Sequence, residues 1–421
     1  MTRSGAKTPF VAIACGGTGG HLFPGLAVAG ELKKRGCKTA LLISPKDIDQ
    51  QAVKTARDAE ILTLPAVGLQ NRNYFSFARS FVKSLFAARK IFGRCQPDAV
   101  LAMGGFTSAP PVLAARMSGA RTFLHESNTI PGRANRFLAR FVDEAFVGFP
   151  ETASRLRVGK VTHTGTPVRP QFSAGRDSVE SKLQQCRTAL GLDPNRPTVL
   201  IMGGSQGASG INQIILATLP YLQERGQLVR ESPSVVEHAD RLPALQFLHL
   251  TGTTDFEKVS RGYAGRSLKA VVQPFLAEMN LALGAATVAV SRAGASSLAE
   301  IAAMRLPALL VPFPAAADNH QFHNARAFET TGAARLLEQK NATPERVAAI
   351  LRELAENETV RTAMQSALAP WHAPRAAEQI AENILSACWS SSFSLPKENG
   401  LKPELQPPRS GEPKQDHVCA A

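Results

Sequence analysis

The chain has 421 residues, of which 44% are hydrophobic and 19% are charged. This composition is typical of a globular enzyme with two or three domains. Its six scattered cysteines form no CxxC pair and no Cys/His cluster, which argues against a disulfide framework and a structural zinc. No apolar run reaches the roughly 18 residues that span a bilayer, and the first, at 10–15, is too short for a signal peptide. We therefore expect a cytoplasmic protein.

The formal net charge of +14 is concentrated at the N-terminal end of the chain. Residues 1–170 contain 24 Lys and Arg against 10 Asp and Glu, while the two signs balance in the remainder. Such an asymmetry indicates that the N-terminal half faces an anionic partner, either nucleic acid or an acidic membrane surface.

Short, continuously apolar runs alternate with helical stretches in the first half. We expect strands at residues 10–15, 39–44, 61–65, 99–104, 122–126 and 145–149. Helices are expected between them, for example at 25–35 and 109–117. This order predicts an α/β fold with a parallel, doubly wound sheet.

The same rhythm returns after a polar segment at 175–196, which we interpret as a linker plus a loop. Further strands are expected at residues 198–202, 246–250, 269–275, 287–291, 308–313 and 334–337. Helices should follow at 344–356, 359–369 and 375–387. Residues 224–244 are polar and contain prolines, so they should form a surface insertion, and the Ser/Pro-rich stretch 390–421 should be a disordered tail.

Each half opens with a strand, a glycine loop and a helix. The first loop is 16–20 (GGTGG), followed by His21, and the second is 203–208 (GGSQGA). Glycines let the backbone approach a ligand, and a helix N-terminus offers free N–H groups to an anion. Two such loops at matching places favour a ligand held in a cleft between the halves. Neither loop has the GxGxxG spacing of a dinucleotide site or the sequence of a P-loop.

A third loop of small residues, 291–300, joins the strand at 287–291 to a helix expected from Ser297. Glu300 could hold a ribose diol with its two carboxylate oxygens. Equally, it could be an acid near a helix N-terminus that balances the macrodipole, and the loop alone does not decide between them.

Taken together and in order, these motifs resemble the MurG family of UDP-GlcNAc transferases. The resemblance rests on residues 16–20 with His21 and Pro24, Gly104-Gly105, 125–128 (HESN), 166–169 (TPVR), 203–208, 291–300 and 318–321 (DNHQ). It covers about residues 8–388 and implies a GT-B fold, two Rossmann-like doubly wound domains with an interdomain cleft. The implied reaction transfers GlcNAc from UDP-GlcNAc, with inversion, to the C4 hydroxyl of undecaprenyl-pyrophosphoryl-MurNAc-pentapeptide (lipid I to lipid II) in peptidoglycan synthesis.

The resemblance also implies the residues that bind the donor. They are Thr18, Gly19, Gly20, Asn128, Arg169, Ser205, Leu276, Ala295, Ser296, Ser297, Leu298, Ala299, Glu300 and Gln321. Of these, Leu276 would grip the uracil, Glu300 the ribose diol and Gln321 the GlcNAc hydroxyls. The chain departs from the family at Phe106, where Tyr is frequent, which weakens any role for a hydroxyl there. Smaller departures at Ser127, Thr166 and His320 leave the interpretation unchanged.

Inverting transfer needs a group that takes the proton of the acceptor hydroxyl. His21, at the lip of the first loop, is our candidate base because imidazole titrates near neutral pH. The alternative is a histidine that only hydrogen-bonds the glycine turn. Glu126 is a second, weaker candidate, and His125 is more readily explained as a structural histidine. GT-B sites usually stabilise the leaving diphosphate with helix N-termini and side-chain donors rather than with a metal, so we expect no cofactor and no metal for the chemistry.

The segment 66–94 combines six basic residues with many aromatics and contains no acid. Helical spacing predicts an amphipathic helix with a membrane face formed by Phe77, Arg79, Phe81, Lys83, Leu85 and Lys90. The alternative is an ordinary helix that covers the sheet with a solvated basic back. We expect contact with an anionic membrane surface and none with nucleic acid, since no nucleic-acid-binding motif is present.

We expect four parts of the chain. Residues 1–170 would form the acceptor and membrane side, 171–372 the donor side, 373–389 a helix returning to the N-terminal domain, and 390–421 the tail. The partners would be UDP-GlcNAc, a polyprenyl-pyrophosphoryl muramoyl-peptide and the cytoplasmic face of the inner membrane, bound peripherally. The rival hypotheses are another GT-B transferase, a UDP-GlcNAc epimerase, and a non-catalytic nucleotide-sugar binding protein. The missing dinucleotide fingerprint disfavours a nicotinamide oxidoreductase.

Overall fold

The computed structural model describes residues 8–16, 19–44, 60–65, 74–173, 182–204, 207–223 and 245–392. They form two parallel β-sheets flanked by helices, one sheet in each half of the chain. The predicted fold class, two Rossmann-like domains of the GT-B type, is confirmed.

The N-terminal sheet has seven parallel strands. They are β1 (Phe10–Ala14), β2 (Lys38–Ile43), β3 (Glu60–Thr63), β4 (Ala99–Ala102), β5 (Arg121–Glu126), β6 (Glu144–Val147) and β7 (Val161–His163). Their spatial order is β3-β2-β1-β4-β5-β6-β7. The central strands β1 and β4 are buried along their whole length, because helices cover both faces of the sheet.

The C-terminal sheet has six parallel strands. They are β8 (Thr198–Met202), β9 (Gln246–Leu250), β10 (Lys269–Gln273), β11 (Val288–Ser291), β12 (Ala308–Leu310) and β13 (Arg335–Leu336). Their order, β10-β9-β8-β11-β12-β13, repeats the topology of the first sheet.

In the described part of the first half and its exit, the helices are α1 (Gly19–Lys34), α2 (Tyr74–Cys95), α3 (Ala109–Met117), α4 (Arg133–Leu138) and α5 (Pro170–Ser173). The described residues that follow contain α6 (Leu183–Ala189), α7 (Ser209–Gln223), α8 (Phe256–Tyr263), α9 (Met279–Ala285), α10 (Ala295–Ala303), α11 (His320–Thr330), α12 (Pro344–Glu356), α13 (Glu358–Leu368) and α14 (Ala376–Ser392). The last helix, α14, packs against α1: Ile380 and Ile384 lie in the same buried cluster as Leu22 and Val28.

The strand order reverses at one point in each sheet, between β1 and β4 and between β8 and β11. In open parallel sheets, ligands bind in the crevice beyond the carboxyl ends of the strands at this point. The first glycine loop follows β1 and the second follows β8, while the loop at 291–294 follows β11. The glycine loops therefore occupy the two positions where the topology favours a ligand.

Several expected boundaries were wrong. The first helix begins at Gly19 rather than at residue 25, so Gly19, Gly20 and His21 form its first turn rather than a loop. The helix after the third loop begins at Ala295 rather than at Ser297.

Two elements were missed because their apolar content is low. The edge strand β7 is short and only partly buried, and the polar segment expected to be a linker contains α6. The expected insertion at 224–244 lies outside the described residues, as does the expected tail beyond Ser392.

Candidate active site

The first turn of α1 meets the first turn of α10 across the cleft. The hydroxyl of Ser296 donates a hydrogen bond to the backbone oxygen of Gly20 at 3.0 Å. Inside α1 that oxygen would normally accept from the N–H of residue 24, but Pro24 has none. Pro24 therefore leaves the Gly20 carbonyl available to the other half of the molecule.

His21 lies in this first turn of α1, and a hydrogen bond to the strand side fixes the orientation of its ring. Its Nδ1 donates to the backbone oxygen of Met103 at 2.8 Å, since a carbonyl can only accept. The neutral imidazole then carries its lone pair on Nε2, the atom that a base requires.

The glycine pair after β4 makes room for the ring of His21. A Cβ on Gly104, which has φ +115°, would lie 2.8 Å from Cε1 of His21. A Cβ on Gly105, which has φ +79°, would lie 3.6 Å from Nε2 of the same ring. Both conformations favour glycine, and a side chain at residue 104 would displace the imidazole.

His125 is buried and hydrogen-bonded through both ring nitrogens. It is completely buried, its Nε2 donates to the Gly165 carbonyl at 3.1 Å, and its Nδ1 accepts from the Ser127 hydroxyl at 3.2 Å. Burial lowers the pKa of His125 to about 4, so the ring is neutral at physiological pH.

Both carboxylate oxygens of Glu126 are engaged in hydrogen bonds with the residues that follow it. One carboxylate oxygen accepts from the backbone and the side-chain amide of Asn128, at 2.9 and 3.0 Å. The other accepts from the Gly132 N–H at 2.9 Å and from Asn135 at 2.8 Å. This buried carboxylate therefore accepts four hydrogen bonds, which fix the conformation of the loop after β5.

Arg169 and Glu300 form an ion pair across the cleft. Nε and Nη2 of Arg169 lie 2.9 and 2.8 Å from Oε1 of Glu300. The guanidinium also lies 4.6 Å above the ring of Phe23 and 5.0 Å from that of Phe172. Burial raises the pKa of Glu300, and the Arg169 cation opposes that rise.

Arg292 holds the third loop from inside the C-terminal half. Its guanidinium donates to the backbone oxygens of Val311 and Pro312, both at 3.0 Å, and to Gln339 at 2.8 Å. Burial lowers the pKa of Arg292 to about 10, which leaves it charged at neutral pH.

Asn324 is a residue that sequence reasoning missed. It lies on α11, is completely buried, and its side chain contacts both Thr129 and Asn128 in the N-terminal half. At the rim, Asp318 binds Arg133 at 3.2 Å and also Arg136 of the N-terminal half. No periodicity marks Asn324. In the sequence, only its place three residues after Gln321, an expected donor-binding residue, points to a role in the site.

The other expected donor residues have the following places in the structure. Gln321 accepts at Oε1 from the Phe313 N–H at 3.0 Å. Leu276 is half-buried beyond the end of β10, and the stretch formed by Ala295, Ser296, Ser297, Leu298 and Ala299 opens α10. Thr18 and Ser205 lie outside the described residues.

The helix α2 has a basic, aromatic outer face, but its residues are not all those expected. Phe81 and Leu85 pack against the N-terminal core, and Phe77 packs its edge on Phe106 with ring centroids 5.4 Å apart. Phe81 and Leu85 were therefore wrongly assigned to the membrane face, because they pack against the core of the N-terminal domain.

The exposed face of α2 is a second stripe at helical spacing. It consists of Phe75, Arg79, Val82, Lys83, Phe86 and Lys90. Phe75 is 83% exposed and Phe86 66% exposed, which is unusual for aromatic side chains without a partner. We call this set the outer face of α2.

Neither a metal-binding cluster nor a membrane-spanning helix occurs among the described residues. They contain no group of three His, Cys, Asp or Glu side chains that could hold a metal ion. None of the helices that the structure describes is both long and apolar enough to cross a membrane.

Comparison with known proteins matches both halves of the chain. Residues 11–147 match the glycosyltransferase family 28 N-terminal domain, and residues 198–382 match the glycosyltransferase family 28 C-terminal domain. A UDP-N-acetylglucosamine–N-acetylmuramyl-(pentapeptide) pyrophosphoryl-undecaprenol N-acetylglucosamine transferase of Anaeromyxobacter sp. strain Fw109-5 is 35% identical over 375 residues, 88% of this chain and 91% of the relative. The enzyme of the same name from Anaeromyxobacter sp. strain K is 34% identical, over 94% of this chain and 98% of the relative.

A solved structure leads to the same family. The crystal structure of Acinetobacter baumannii MurG matches with a TM-score of 0.67 and 26% identity, over 90% of this chain and all of that one. The identity with the relatives over most of their length, the two domain matches and this structural neighbour agree. The chain belongs to the MurG family of UDP-N-acetylglucosamine transferases within glycosyltransferase family 28.

Proposed function

We propose that this protein transfers GlcNAc from UDP-GlcNAc to the C4 hydroxyl of undecaprenyl-pyrophosphoryl-MurNAc-pentapeptide, with inversion at the anomeric carbon. The observation that carries the proposal is the contact between Ser296 and Gly20. It brings the N-terminus of the donor-side helix α10 against the turn that holds the candidate base His21. Donor and base thus share one cleft.

The donor would lie on the C-terminal half. The N-terminus of α10 is capped by Gly294 without a side-chain hydrogen bond, so its N–H groups are available to the diphosphate. Ser205 and residues 295–299 would surround the phosphates and the sugar, with Gln321 on the GlcNAc hydroxyls. Leu276 would grip the uracil.

Glu300 would bind the ribose diol. Its Oε1 is held by Arg169, so both side chains are oriented before the donor arrives. From the N-terminal half, Asn128 and the turn formed by Thr18, Gly19 and Gly20 would complete the donor site.

The chemistry is an in-line displacement. The C4 oxygen of the acceptor attacks the anomeric carbon, the bond from that carbon to the UDP oxygen breaks, and UDP leaves with the electron pair. Nε2 of His21 takes the proton of the attacking hydroxyl, because Nδ1 already donates to Met103. The N-terminus of α10 stabilises the charge that develops on the leaving diphosphate.

We expect the two domains to bind different substrates. We place the acceptor and membrane side in residues 1–170 and the donor side in residues 171–372. Residues 373–389 would tie the C-terminal half back to the first domain, and the packing of α14 on α1 supports this.

The acceptor carries a polyprenyl chain, so the enzyme must work at a membrane. The outer face of α2 supports peripheral attachment to an anionic leaflet, since exposed aromatics bury apolar area and basic residues attract acidic head groups. We place the protein on the cytoplasmic face of the inner membrane.

Product analysis with labelled UDP-GlcNAc, with and without the lipid-linked acceptor, tests the proposal. We expect label in the lipid product and release of UDP only when the acceptor is present. Conversion of UDP-GlcNAc to its 2-epimer without acceptor would instead show an epimerase. Tight donor binding without turnover on the lipid acceptor would show a binding protein.

A further inference from the structure

Asn324 links the two halves of the molecule with a fully satisfied side chain. Its oxygen accepts from the backbone N–H and from the hydroxyl of Thr129, both at 3.0 Å. Its nitrogen donates to Oδ1 of Asn128 at 3.0 Å and to the Ala293 carbonyl at 3.1 Å. An asparagine amide has two donor hydrogens and two acceptor lone pairs, so these four bonds use it completely.

The hydrogen bonds continue from Asn324 towards the candidate base. Asn128 donates to Glu126, and Glu126 accepts from Asn135. The amide nitrogen of Asn135 and the ring of His21 both lie next to Gly104. A Cβ on Gly104 would be 3.3 Å from the Asn135 nitrogen and 2.8 Å from Cε1 of His21. A chain of polar side chains thus runs from the helix that bears Gln321 to Asn135, whose amide nitrogen lies beside Gly104 as the ring of His21 does.

We propose that Asn324 is a positioning residue that aligns His21 with the donor by fixing the closed arrangement of the two domains. The proposal rests on the proposed transferase function. Through Ala293, Asn324 holds the loop that precedes α10, and through Asn128 and Thr129 it holds the loop after β5. This one amide therefore couples the two loops directly.

Neither a smaller nor a charged residue can replace this amide. Alanine would leave the Thr129 N–H, the Asn128 oxygen and the Ala293 carbonyl buried without their partner. Aspartate keeps the shape and accepts from Thr129, but it would place negative charge against two carbonyl-type oxygens. The rim pair between Asp318 and Arg133 is exposed by contrast, and such pairs contribute little.

The test compares Asn324→Ala and Asn324→Asp with Gln246→Ala, a matched control. Gln246 is also completely buried and makes four hydrogen bonds, to Asp193, Arg196 and Thr198, but all lie within the C-terminal half at the far end of its sheet. We measure kcat and KM for both substrates, UDP affinity by calorimetry, the melting temperature, and the radius of gyration with saturating UDP-GlcNAc.

Both Asn324 variants should lose roughly 10²-fold in kcat while UDP affinity changes by no more than about threefold, because misalignment acts on the transition state. They should also remain more extended than wild type with UDP-GlcNAc bound. Gln246→Ala should lower the melting temperature to a similar degree and keep its kcat. A folded Asn324→Ala protein with near-normal kcat and a compact form would overturn the proposal.

A milder variant covers the possibility that the Asn324 variants do not fold. Thr129→Val removes only the hydroxyl that donates to Asn324, and a lowered kcat with unchanged UDP affinity is expected. An unchanged kcat would count against the proposal. If the wild type itself transfers no GlcNAc, the proposed function fails. The radius of gyration would then still show whether Asn324 holds the domains closed.

Discussion

Arg169 and Glu300 lie 131 positions apart in the sequence, and the guanidinium of the first holds the carboxylate of the second at 2.8 Å across the cleft. Both side chains are largely buried, so neither is free to turn to solvent. The pair thus presents the Glu300 carboxylate as an oriented hydrogen-bond acceptor in α10, near the N-terminus of that helix.

Glu300→Gln should weaken UDP-GlcNAc binding by about 1.5–3 kcal/mol, the range for hydrogen bonds to charged groups. Calorimetry measures the change directly. Glu329→Gln is the control, because Glu329 is partly exposed and pairs with Arg326, three residues before it on the same helix. Donor affinity that is the same in both variants and in wild type would remove Glu300 from the ribose site.

Donor affinity should also fall at acidic pH. Burial raises the pKa of Glu300, so the carboxylate gains a proton at a higher pH than an ordinary glutamate as the pH is lowered. The protonated form is a poorer acceptor for the ribose hydroxyls, and binding weakens as the pH falls through that raised pKa. Calorimetry with UDP-GlcNAc from neutral to acidic pH should show this loss in wild type and not in Glu300→Gln. A wild-type profile that is flat would contradict the assignment.

The sequence predicted most of the fold because continuous apolar strands alternate with helices in a regular way. Its errors lie where local signals are weak. Gly19 and Gly20 are poor helix formers, yet they start α1, since packing of the turn against α10 outweighs their propensity. The strand β7 carries too few apolar residues to be recognised.

Only those residues of the candidate site that lie within a recognisable motif could be predicted from the sequence. Glu126 was expected to be a possible catalytic group, but four donors from a folded loop occupy it. Asn324 meets Thr129, 195 positions away, and no local pattern can reveal such a contact. Phe81 and Leu85 were assigned to the wrong side of α2 because a helical period does not show which face packs against the core.

His21→Ala should lower kcat by about 10²–10⁴-fold and change donor affinity little, because a base acts in the transition state. His163→Ala is the control, since His163 is exposed on the edge strand β7. Steady-state kinetics with both substrates gives the two parameters. Near-normal kcat in the His21 variant at saturating substrates would exclude this residue as the base.

Vesicle binding should depend on the outer face of α2. Replacing Arg79, Lys83 and Lys90 with Glu should abolish binding to vesicles that contain anionic lipid, because each basic residue contributes about 1 kcal/mol near such a surface. Wild-type binding should fall as salt rises. Phe75→Ser with Phe86→Ser should reduce the salt-resistant part, and both residues are exposed enough to change without unfolding the domain.

The matched control for this experiment reverses the same number of charges elsewhere. Lys258, Arg261 and Lys269 are exposed on the C-terminal half, and their replacement with Glu should leave vesicle binding intact. A thermal melt and a UDP-GlcNAc titration should be unchanged in every variant. Equal loss of binding in both charge-reversal variants would show an effect of net charge rather than of this face.

The structure of the transferred product tests the central claim most directly. Nuclear magnetic resonance of the disaccharide formed from UDP-GlcNAc and the lipid-linked muramoyl-peptide gives both the linkage position and the anomeric configuration. Direct attack by a hydroxyl deprotonated at His21 predicts a single β linkage to C4, the inverse of the α configuration in the donor. An α-linked product, or a linkage to another hydroxyl, would contradict the arrangement of donor, base and acceptor proposed for this cleft.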